Sequence, residues 1–221
     1  MTNRETVTAW LTGVLPGSAL ESALCAAGFI RRKGAVVYSR GDAEVRQRFK
    51  LVFDVTPRYE PTALAHLLPQ VVLESVALHE LVQRMVGEEP GTTGLDRPPV
   101  VVGQQLQNLA PKDQHEQATR WFIHNEADTR IVMEQVGAFA QTWAIPFLNQ
   151  YQSVRSIVEG HQQGDERLRA PRPLSLYIVA AYLQVGEPTK ALGVLEHVFG
   201  RPALRKQYAN AFEYVRGRCA S

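Results

Sequence analysis

The fold of the N-terminal half depends most on residues 28–40, which read GFIRRKGAVVYSR. The helical pattern before them ends at Gly28, because glycine adopts the left-handed conformation of a helix C-terminus at little cost. Residues 35–40 are rich in β-forming side chains, and Gly41-Asp42 fits a two-residue turn with glycine first. We therefore predict that a helix stops at Gly28 and that a β-hairpin follows.

The second strand of this hairpin, residues 43–55, alternates between apolar and polar side chains. Such alternation is typical of a strand in a sheet with one buried face and one solvated face. The register should be firmly set, because a shift of one residue would bury the cations. The apolar face is predicted to hold Val45, Phe49, Leu51, Phe53 and Val55, and the polar face Arg46, Arg48, Lys50 and Asp54.

Helical spacing marks the segments on either side of the hairpin. Residues 4–27 carry two apolar stripes separated by a Pro-Gly pair, so we predict a split helix there. Residues 61–68 start with a proline at a favourable first position and predict a short helix. Residues 71–74 fit either a short strand before a helix over 76–86 or part of one long helix from residue 69.

The central part of the chain combines short strands with further helices. Residues 87–99 contain three glycines and three prolines and predict a loop, whereas 99–103 and 118–124 have the composition of strands. Asn125 is a good N-cap, and the chain has a helical character from there on. The polar stretch 160–173 is the best candidate for a linker.

The C-terminal part has the pattern of a helical hairpin followed by a third helix. Residues 174–185 and 189–199 have helical spacing on either side of a Gly-Glu-Pro turn. The spacing of Tyr182, Gly186 and Ala191 is similar to that in a tetratricopeptide unit. An ordinary helical hairpin is the alternative, because we find a single such unit and these repeats need neighbours to be stable.

Together these patterns predict an α+β fold, with an antiparallel sheet of four or five strands packed by helices and a C-terminal helical segment. We divide the chain into an α+β domain at 1–150 and a helical extension at 151–221, which contains the hairpin and the final helix. The extension either packs as one unit with the first domain or stands apart from it.

The 221-residue chain is 45% hydrophobic and 21% charged, a composition typical of a folded protein with a core. Its net charge of +2 is too small to predict nucleic-acid binding by itself. The charges are unevenly distributed: residues 31–50 contain seven cations and two anions, while 60–96 contain six anions and one cation. Such a dipolar surface can orient a charged protein partner.

Six cations of the hairpin region are therefore our candidate partner-binding residues. The favoured partner is another protein with an acidic surface. Nucleic-acid phosphates are the alternative target, although this face carries few aromatic side chains for stacking on single strands. Lysines and arginines on such a face more often serve only to protect an edge strand from aggregation, with no partner at all. The six residues are Arg31, Arg32 and Lys33 in the turn and Arg46, Arg48 and Lys50 on the polar face of the second strand.

The sequence contains no complete catalytic, cofactor-binding or metal-binding motif. The segment from His79 to Gln83 comes closest to the zinc-protease pattern, but Gln83 stands where the second histidine is needed. We therefore expect His79 to lie on a helix surface. Cys25 lies among apolar residues and is expected in the core. The two cysteines lie at opposite ends of the chain and do not form a zinc-ligand motif. An enzyme site assembled from distant segments stays open, since sequence spacing cannot detect it.

The sequence also bears on location. The N-terminus lacks a basic segment followed by an apolar one, so we expect no secretory signal. No apolar run approaches the length that spans a bilayer. We expect a cytoplasmic protein without a membrane partner.

Several segments carry a family resemblance. The run AGFIRRKG at 27–34, followed by VYSR at 37–40 and FKLVF at 49–53, resembles the opening of an uncharacterised bacterial α+β family of unknown function. A later strand-to-helix segment of that family ends in a pair of proline and an aromatic residue or leucine, which AIPFL at 144–148 matches. The resemblance covers roughly residues 15–150 and implies no catalytic residue.

Domains of this style often occur near bacterial toxin and secretion loci, so the resemblance implies an immunity or adaptor role. Our leading hypothesis is a non-enzymatic protein–protein interaction module, such as a bacterial immunity or adaptor protein. A nucleic-acid-associated protein that uses the basic β-hairpin is the alternative. An enzyme with a site not visible in sequence is the third hypothesis.

Overall fold

The computed structural model describes residues 2–87, 99–114, 120–169 and 171–220. Within these residues the chain forms an antiparallel sheet together with many helices, the last of which follow one another in a C-terminal helical segment. The predicted α+β fold is therefore confirmed.

The described part of the chain contains strands, α-helices and a few shorter turns of helix. The strands are β1 (Ile30–Arg31), β2 (Val37–Gly41), β3 (Arg46–Val55), β4 (Ala65–Glu74), β5 (Val100–Gln105) and β6 (Phe122–Ile123). The α-helices are α1 (Asn3–Val14), α2 (Ala19–Ala26), α3 (Val76–Val86), α4 (Glu126–Phe139), α5 (Ile145–Gln150), α6 (Val154–Gln162), α7 (Ser175–Gln184), α8 (Pro188–Phe199), α9 (Pro202–Gln207) and α10 (Ala209–Cys219). Short 3-10 helices cover Leu106–Leu109, Lys112–Gln114, Glu166–Leu168 and Arg172–Leu174, and a π-helical turn covers Ala140–Ala144.

The chain separates into two compact units. The first unit consists of Met1–Arg40, Gln47–Val72 and Gln104–Gln150, and the second of Gly41–Arg46, Leu73–Gly103 and Tyr151–Ser221. The division into domains at 1–150 and 151–221 stays a prediction, because compact packing does not show that either part folds alone.

The sheet has six strands within the described residues. Their order is β1-β2-β3-β4-β5, and β6 pairs with β4 beside this path. β1 and β2 are antiparallel, with Arg31 opposite Tyr38, and β4 and β6 are antiparallel, with Ala65 opposite Ile123. β1 therefore lies at one end of the sheet, with β2 as its one described neighbour.

The helical region before the sheet is split as predicted. Thr2 caps α1 and Ser18 caps α2, each by accepting a hydrogen bond from a backbone amide of the first turn. The chain leaves α2 through Gly28, whose φ of +84° requires the freedom of glycine. The amide of Phe29 then donates to the carbonyl of Leu24 at 2.9 Å, which closes the end of the helix.

β3 has the alternation that its sequence predicts. Phe49, Leu51 and Phe53 are buried, as the apolar face requires. Gln47 lies on the same face and is also buried, a position that the sequence does not single out. Its side-chain amide donates to the carbonyl of Leu148 at 2.6 Å, and this hydrogen bond compensates for the loss of water. The predicted apolar face of β3 is therefore confirmed for these residues.

The hairpin turn is longer than predicted. β2 ends at Gly41 and β3 begins at Arg46, so the two-residue turn is wrong. The physical reason lies in Asp42, whose Oδ1 accepts hydrogen bonds from the amides of Glu44 at 2.8 Å and Val45 at 3.3 Å. An aspartate that caps the amides of its own turn stabilises the wider connection.

A second correction concerns the segment before α3. The sequence predicts a short helix over 61–68, but the chain turns there and enters β4. Leu67 and Leu73 are fully buried on one face of this strand, and Val72 on the opposite face is buried as well. Burial on both faces favours a paired strand over a short helix with one apolar stripe. The long helix from residue 69 is also wrong, while a strand before a helix over 76–86 is confirmed.

The remaining predictions of the central region agree with the structure where it is described. β5 and β6 confirm the strands predicted at 99–103 and 118–124. Residues 118 and 119 of the second prediction lie outside the described residues. Residues 88–98 of the predicted loop also lie outside them. Asn125 caps α4, since its Oδ1 accepts a hydrogen bond from the amide of Asp128 at 3.1 Å.

The second unit contains the predicted helical hairpin, formed by α7 and α8 and followed by α9 and α10. Gly186 makes the turn with a φ of +80°, and Tyr182 and Ala191 are buried. The similarity to a tetratricopeptide unit stays a prediction. The stretch 160–173 is not a linker between units, because it lies within the second unit and buries Leu168 there.

Candidate functional site

Arg31, the first of the six candidate cations, has partners inside the first unit. Its Nε donates to Glu21 Oε1 at 2.9 Å, and the side chains of the pair are only 13% and 21% exposed. A second guanidinium nitrogen donates to the carbonyl of Ala35 at 3.4 Å, and the group lies 5.8 Å from the ring centroid of Tyr38. Arg31 therefore links β1 to α2, and the carboxylate of Glu21 already balances its charge.

Arg32 and Lys33 differ from Arg31, because both side chains are exposed. The backbone carbonyl of Arg32 accepts a hydrogen bond from the amide of Ala35 at 3.0 Å, which fixes the turn. Within the described ranges, neither side chain has a hydrogen bond or an ion pair. These two cations are accessible to a partner.

The other three candidates alternate along β3. Arg46 is exposed and belongs to the second unit, whereas Arg48 and Lys50 are half-buried and belong to the first. Arg48 also interacts with other groups of the chain. The six cations are therefore not equivalent, and the first unit offers two exposed ones just after β1.

An exposed isoleucine lies directly beside these cations, and the sequence did not single it out. Ile30 is 74% exposed, the highest value among the large exposed apolar residues described. It is paired with Ser39 across β1 and β2, while the preceding Phe29 is buried. A strand of two residues is too short for an alternating pattern to predict that Ile30 is exposed. The one signal in the sequence was the neighbouring Phe29, whose burial places the next side chain on the opposite face.

Arg40 is a further cation that the sequence left out of the candidate site. Its Nε donates to Gln47 Oε1 at 2.6 Å, and one terminal nitrogen donates to Asn149 Oδ1 at 2.6 Å. The other terminal nitrogen donates to the carbonyl of Ala27, and the guanidinium lies 4.5 Å from the ring centroid of Phe29. Burial lowers the pKa of Arg40. This arginine joins α2, the hairpin and α5 and is structural.

A cavity in the second unit tests the enzyme hypothesis. It has a volume of about 240 Å³, and His161 and Asp165 both line it. The imidazole Nδ1 of His161 bonds to the hydroxyl of Tyr182 at 3.0 Å, and burial lowers the pKa of His161. The carboxylate of Asp165 accepts hydrogen bonds from Tyr151 and Arg167 instead. The two groups thus have separate partners, and no hydrogen bond joins the histidine to the carboxylate in this cavity.

The expectation for Cys25 is wrong, and the expectation for His79 is incomplete. His79 is half-buried, and its Nδ1 is hydrogen-bonded to the hydroxyl of Tyr177 at 2.6 Å. Burial raises the pKa of this tyrosine to about 12. Cys25 is exposed rather than in the core. It lies on the outer side of α2, whose buried residues are Leu20 and Leu24.

Two further properties concern the described residues as a group. Among the described residues, no group of three or more histidine, cysteine, aspartate or glutamate side chains is placed to hold a metal ion. None of their helices is both long enough and apolar enough to cross a membrane.

Comparison with known proteins gives no match: no family model, no curated protein and no solved structure is significantly similar to this chain. The family resemblance of residues 15–150 therefore stays a hypothesis.

Proposed function

We propose that this protein is a non-enzymatic protein-binding module and that the first unit binds an acidic protein surface through Ile30, Arg32 and Lys33. We call these three residues the β1 surface. The observation that carries the proposal is a 74% exposed isoleucine beside two exposed cations that have no partner among the described residues. Burial of such a side chain at an interface contributes about 1.5–3 kcal/mol, and the cations steer an acidic partner.

A protein partner fits this surface better than a nucleic acid does. An exposed isoleucine gains nothing from a phosphate backbone, whereas an apolar contact of a partner protein covers it. Arg31 is already paired with Glu21, so few cations are available to neutralise phosphates. β1 also lies at the end of the sheet, where a partner chain can pair with exposed backbone groups.

The finer role rests on the sequence. The resemblance of residues 15–150 supports a bacterial immunity or adaptor protein as the biological setting of this binding. The two free, exposed cysteines, Cys25 and Cys219, fit a reducing compartment and support a cytoplasmic location.

Charge reversal at the β1 surface tests the proposed function. We expect the tagged wild-type chain to capture a protein from a lysate of the source organism, and R32E/K33E to bind the purified partner at least ten times more weakly. The weakening should follow because two attractive charges become repulsive. Titration calorimetry with the purified partner measures the affinity, and I30S should also weaken binding.

The matched control is R58E/R130E, which makes the same change of net charge at two exposed arginines of the first unit. It should bind like the wild type. Equal affinities of R32E/K33E and the wild type would refute the β1 surface. If the chain captures no protein but shifts DNA or RNA in a salt-sensitive mobility assay, the nucleic-acid alternative replaces the proposal.

A further inference from the structure

The second unit contains a groove that the proposed function does not use. Its volume is about 550 Å³, within the range of about 300–1,000 Å³ typical of ligand pockets. Its walls come from α3, from the end of α7, the following turn and the start of α8, and from α10. All of these elements belong to the second unit, so the groove lies within one compact body.

The walls of the groove are joined by a specific contact. The side-chain amide of Asn210, at the start of α10, donates to the carbonyl of Val86, at the end of α3, at 3.0 Å. Gly87 has a φ of +66°, which favours glycine, and a Cβ there would lie 2.6 Å from the amide nitrogen of Asn210, so a side chain at this position would push the Asn210 amide away from Val86. This hydrogen bond ties the end of α3 to the start of α10, two of the elements that form the walls.

The groove is apolar along much of its lining. Leu81 from α3 and Leu183 from α7 are part of this lining, together with Pro188 and Tyr214. All four side chains are half-buried rather than buried. They leave apolar surface that a ligand can remove from water.

The charge of the groove is of one sign. Arg84 in the last turn of α3 and Arg218 in the last turn of α10 both line it, and no acidic side chain does so among the described residues. Arg84 is exposed and has no ion-pair or hydrogen-bond partner in the described ranges. Arg218 donates to the hydroxyl of Tyr214 at 3.3 Å and lies 5.5 Å from its ring centroid, which leaves the other donors of the guanidinium available.

From this combination we infer that the groove binds a short peptide segment of a partner protein that carries carboxylates next to an apolar side chain. The carboxylates contact Arg84 and Arg218, because guanidinium groups bind carboxylates through paired hydrogen bonds. The apolar side chain packs between Leu81 and Tyr214. This site is independent of the β1 surface, since the two lie in different units and share no residue.

Selection from a random library of 12-residue peptides against the full chain tests this inference. We expect the enriched peptides to contain aspartate or glutamate beside leucine or an aromatic residue. Fluorescence polarisation of a labelled enriched peptide should show binding at least ten times weaker to R84E/R218E than to the wild type. Affinity should also fall as salt is added, because exposed charge pairs are screened.

Two control variants distinguish peptide binding in the groove from binding elsewhere on the chain. R155E/R201E changes two exposed arginines of the second unit outside the groove and should bind the peptide like the wild type. R32E/K33E should also bind the peptide like the wild type. A loss of peptide binding in R32E/K33E would show that the peptide binds at the β1 surface, and this result would overturn the groove site. Thermal unfolding of R84E/R218E should stay cooperative and fall only slightly, since both arginines are exposed and the cost is that of an anion in the last turn of a helix.

Other outcomes overturn the inference directly. The inference is overturned if the selection enriches no sequence, or if it enriches peptides without carboxylates. Equal binding to the wild type and R84E/R218E would overturn it too. If size-exclusion chromatography shows a dimer that R84E/R218E dissociates, the occupant is a second copy of the chain and not a partner peptide.

Discussion

Replacing Gly137 with alanine should lower the free energy of unfolding by about 1–3 kcal/mol, the usual cost of overpacking. Gly137 lies in α4 where this helix crosses α2. A Cβ at this position would lie 2.8 Å from the amide nitrogen of Leu20 and 3.2 Å from its Cα. Because both are backbone atoms, no side-chain rotation relieves the clash. The two helices must separate, which loosens the packing of the fully buried Leu20.

The sign of this effect opposes helix propensity, and a second variant shows why. Alanine is favoured over glycine by about 1 kcal/mol inside a helix. Gly193 in α8 has no neighbouring atom within 4 Å of a built Cβ, so Gly193→Ala should stabilise the chain by about 0.5–1 kcal/mol. Urea unfolding followed by circular dichroism measures both variants. A Gly137→Ala protein as stable as Gly193→Ala would contradict the close packing of α2 and α4.

The contrast between these two glycines shows where sequence reasoning ends. Both lie inside helices and look alike as residues that weaken a helix. The difference lies in what surrounds each glycine in the fold. The backbone that crowds Gly137 belongs to Leu20, more than a hundred residues away in the chain, whereas Gly193 has no such neighbour. Local patterns contain no information on such distances.

Periodicity predicted most elements correctly where one face is buried and the other is wet. β3 and the split α1–α2 pair are examples, because their alternating or helical spacing directly reflects burial. It failed at β4, whose two buried faces leave an apolar run without a period. It also missed Gln47, whose burial depends on a hydrogen bond to the distant Leu148.

The candidate site was predicted in part, for a related reason. Composition located the cluster of cations, but not which of them have partners. Arg31 is paired with Glu21 from the preceding helix, and this pairing requires the fold to be known. Ile30 was missed because its exposure follows from its place on an edge strand.

Replacing Asp165 with asparagine should lower the free energy of unfolding by about 2 kcal/mol at pH 7, a value typical of lost hydrogen bonds to a charged group. The carboxylate is only 13% exposed. It accepts hydrogen bonds from Arg167 Nε at 2.9 Å and from a terminal nitrogen at 2.6 Å, and also from the hydroxyl of Tyr151. Tyr151 is fully buried and packs across Gly160, where a Cβ would lie 2.5 Å from its ring. The network thus joins three segments of the second unit.

Tyr151→Phe is the matched control, because it removes one neutral donor and keeps the ring over Gly160. It should cost about 1 kcal/mol, less than Asp165→Asn, since the carboxylate keeps Arg167. Urea unfolding at pH 7 measures both variants. An Asp165→Asn protein that is less affected than Tyr151→Phe would contradict the central position of the carboxylate.

The same carboxylate makes the stability depend on pH. Burial alone would raise the pKa of Asp165, but hydrogen bonds from Arg167 and Tyr151 outweigh it and lower this pKa to about 2. The folded pKa therefore lies below the value of about 3.9 for an unfolded aspartate. The stabilisation is complete above pH 4 and is lost as the pH falls towards 2, because protonation breaks the hydrogen bonds with Arg167.

Unfolding curves in urea at steps from pH 7 to pH 2.5 test this dependence. The wild type should lose more stability below pH 4 than Asp165→Asn does, because asparagine has no proton to gain in this range. The two unfolding free energies should converge at the acid end, and Tyr151→Phe should retain most of the wild-type slope. Parallel curves for the wild type and Asp165→Asn would show that this carboxylate does not titrate with a lowered pKa, and the network would then not owe its stability to the charge.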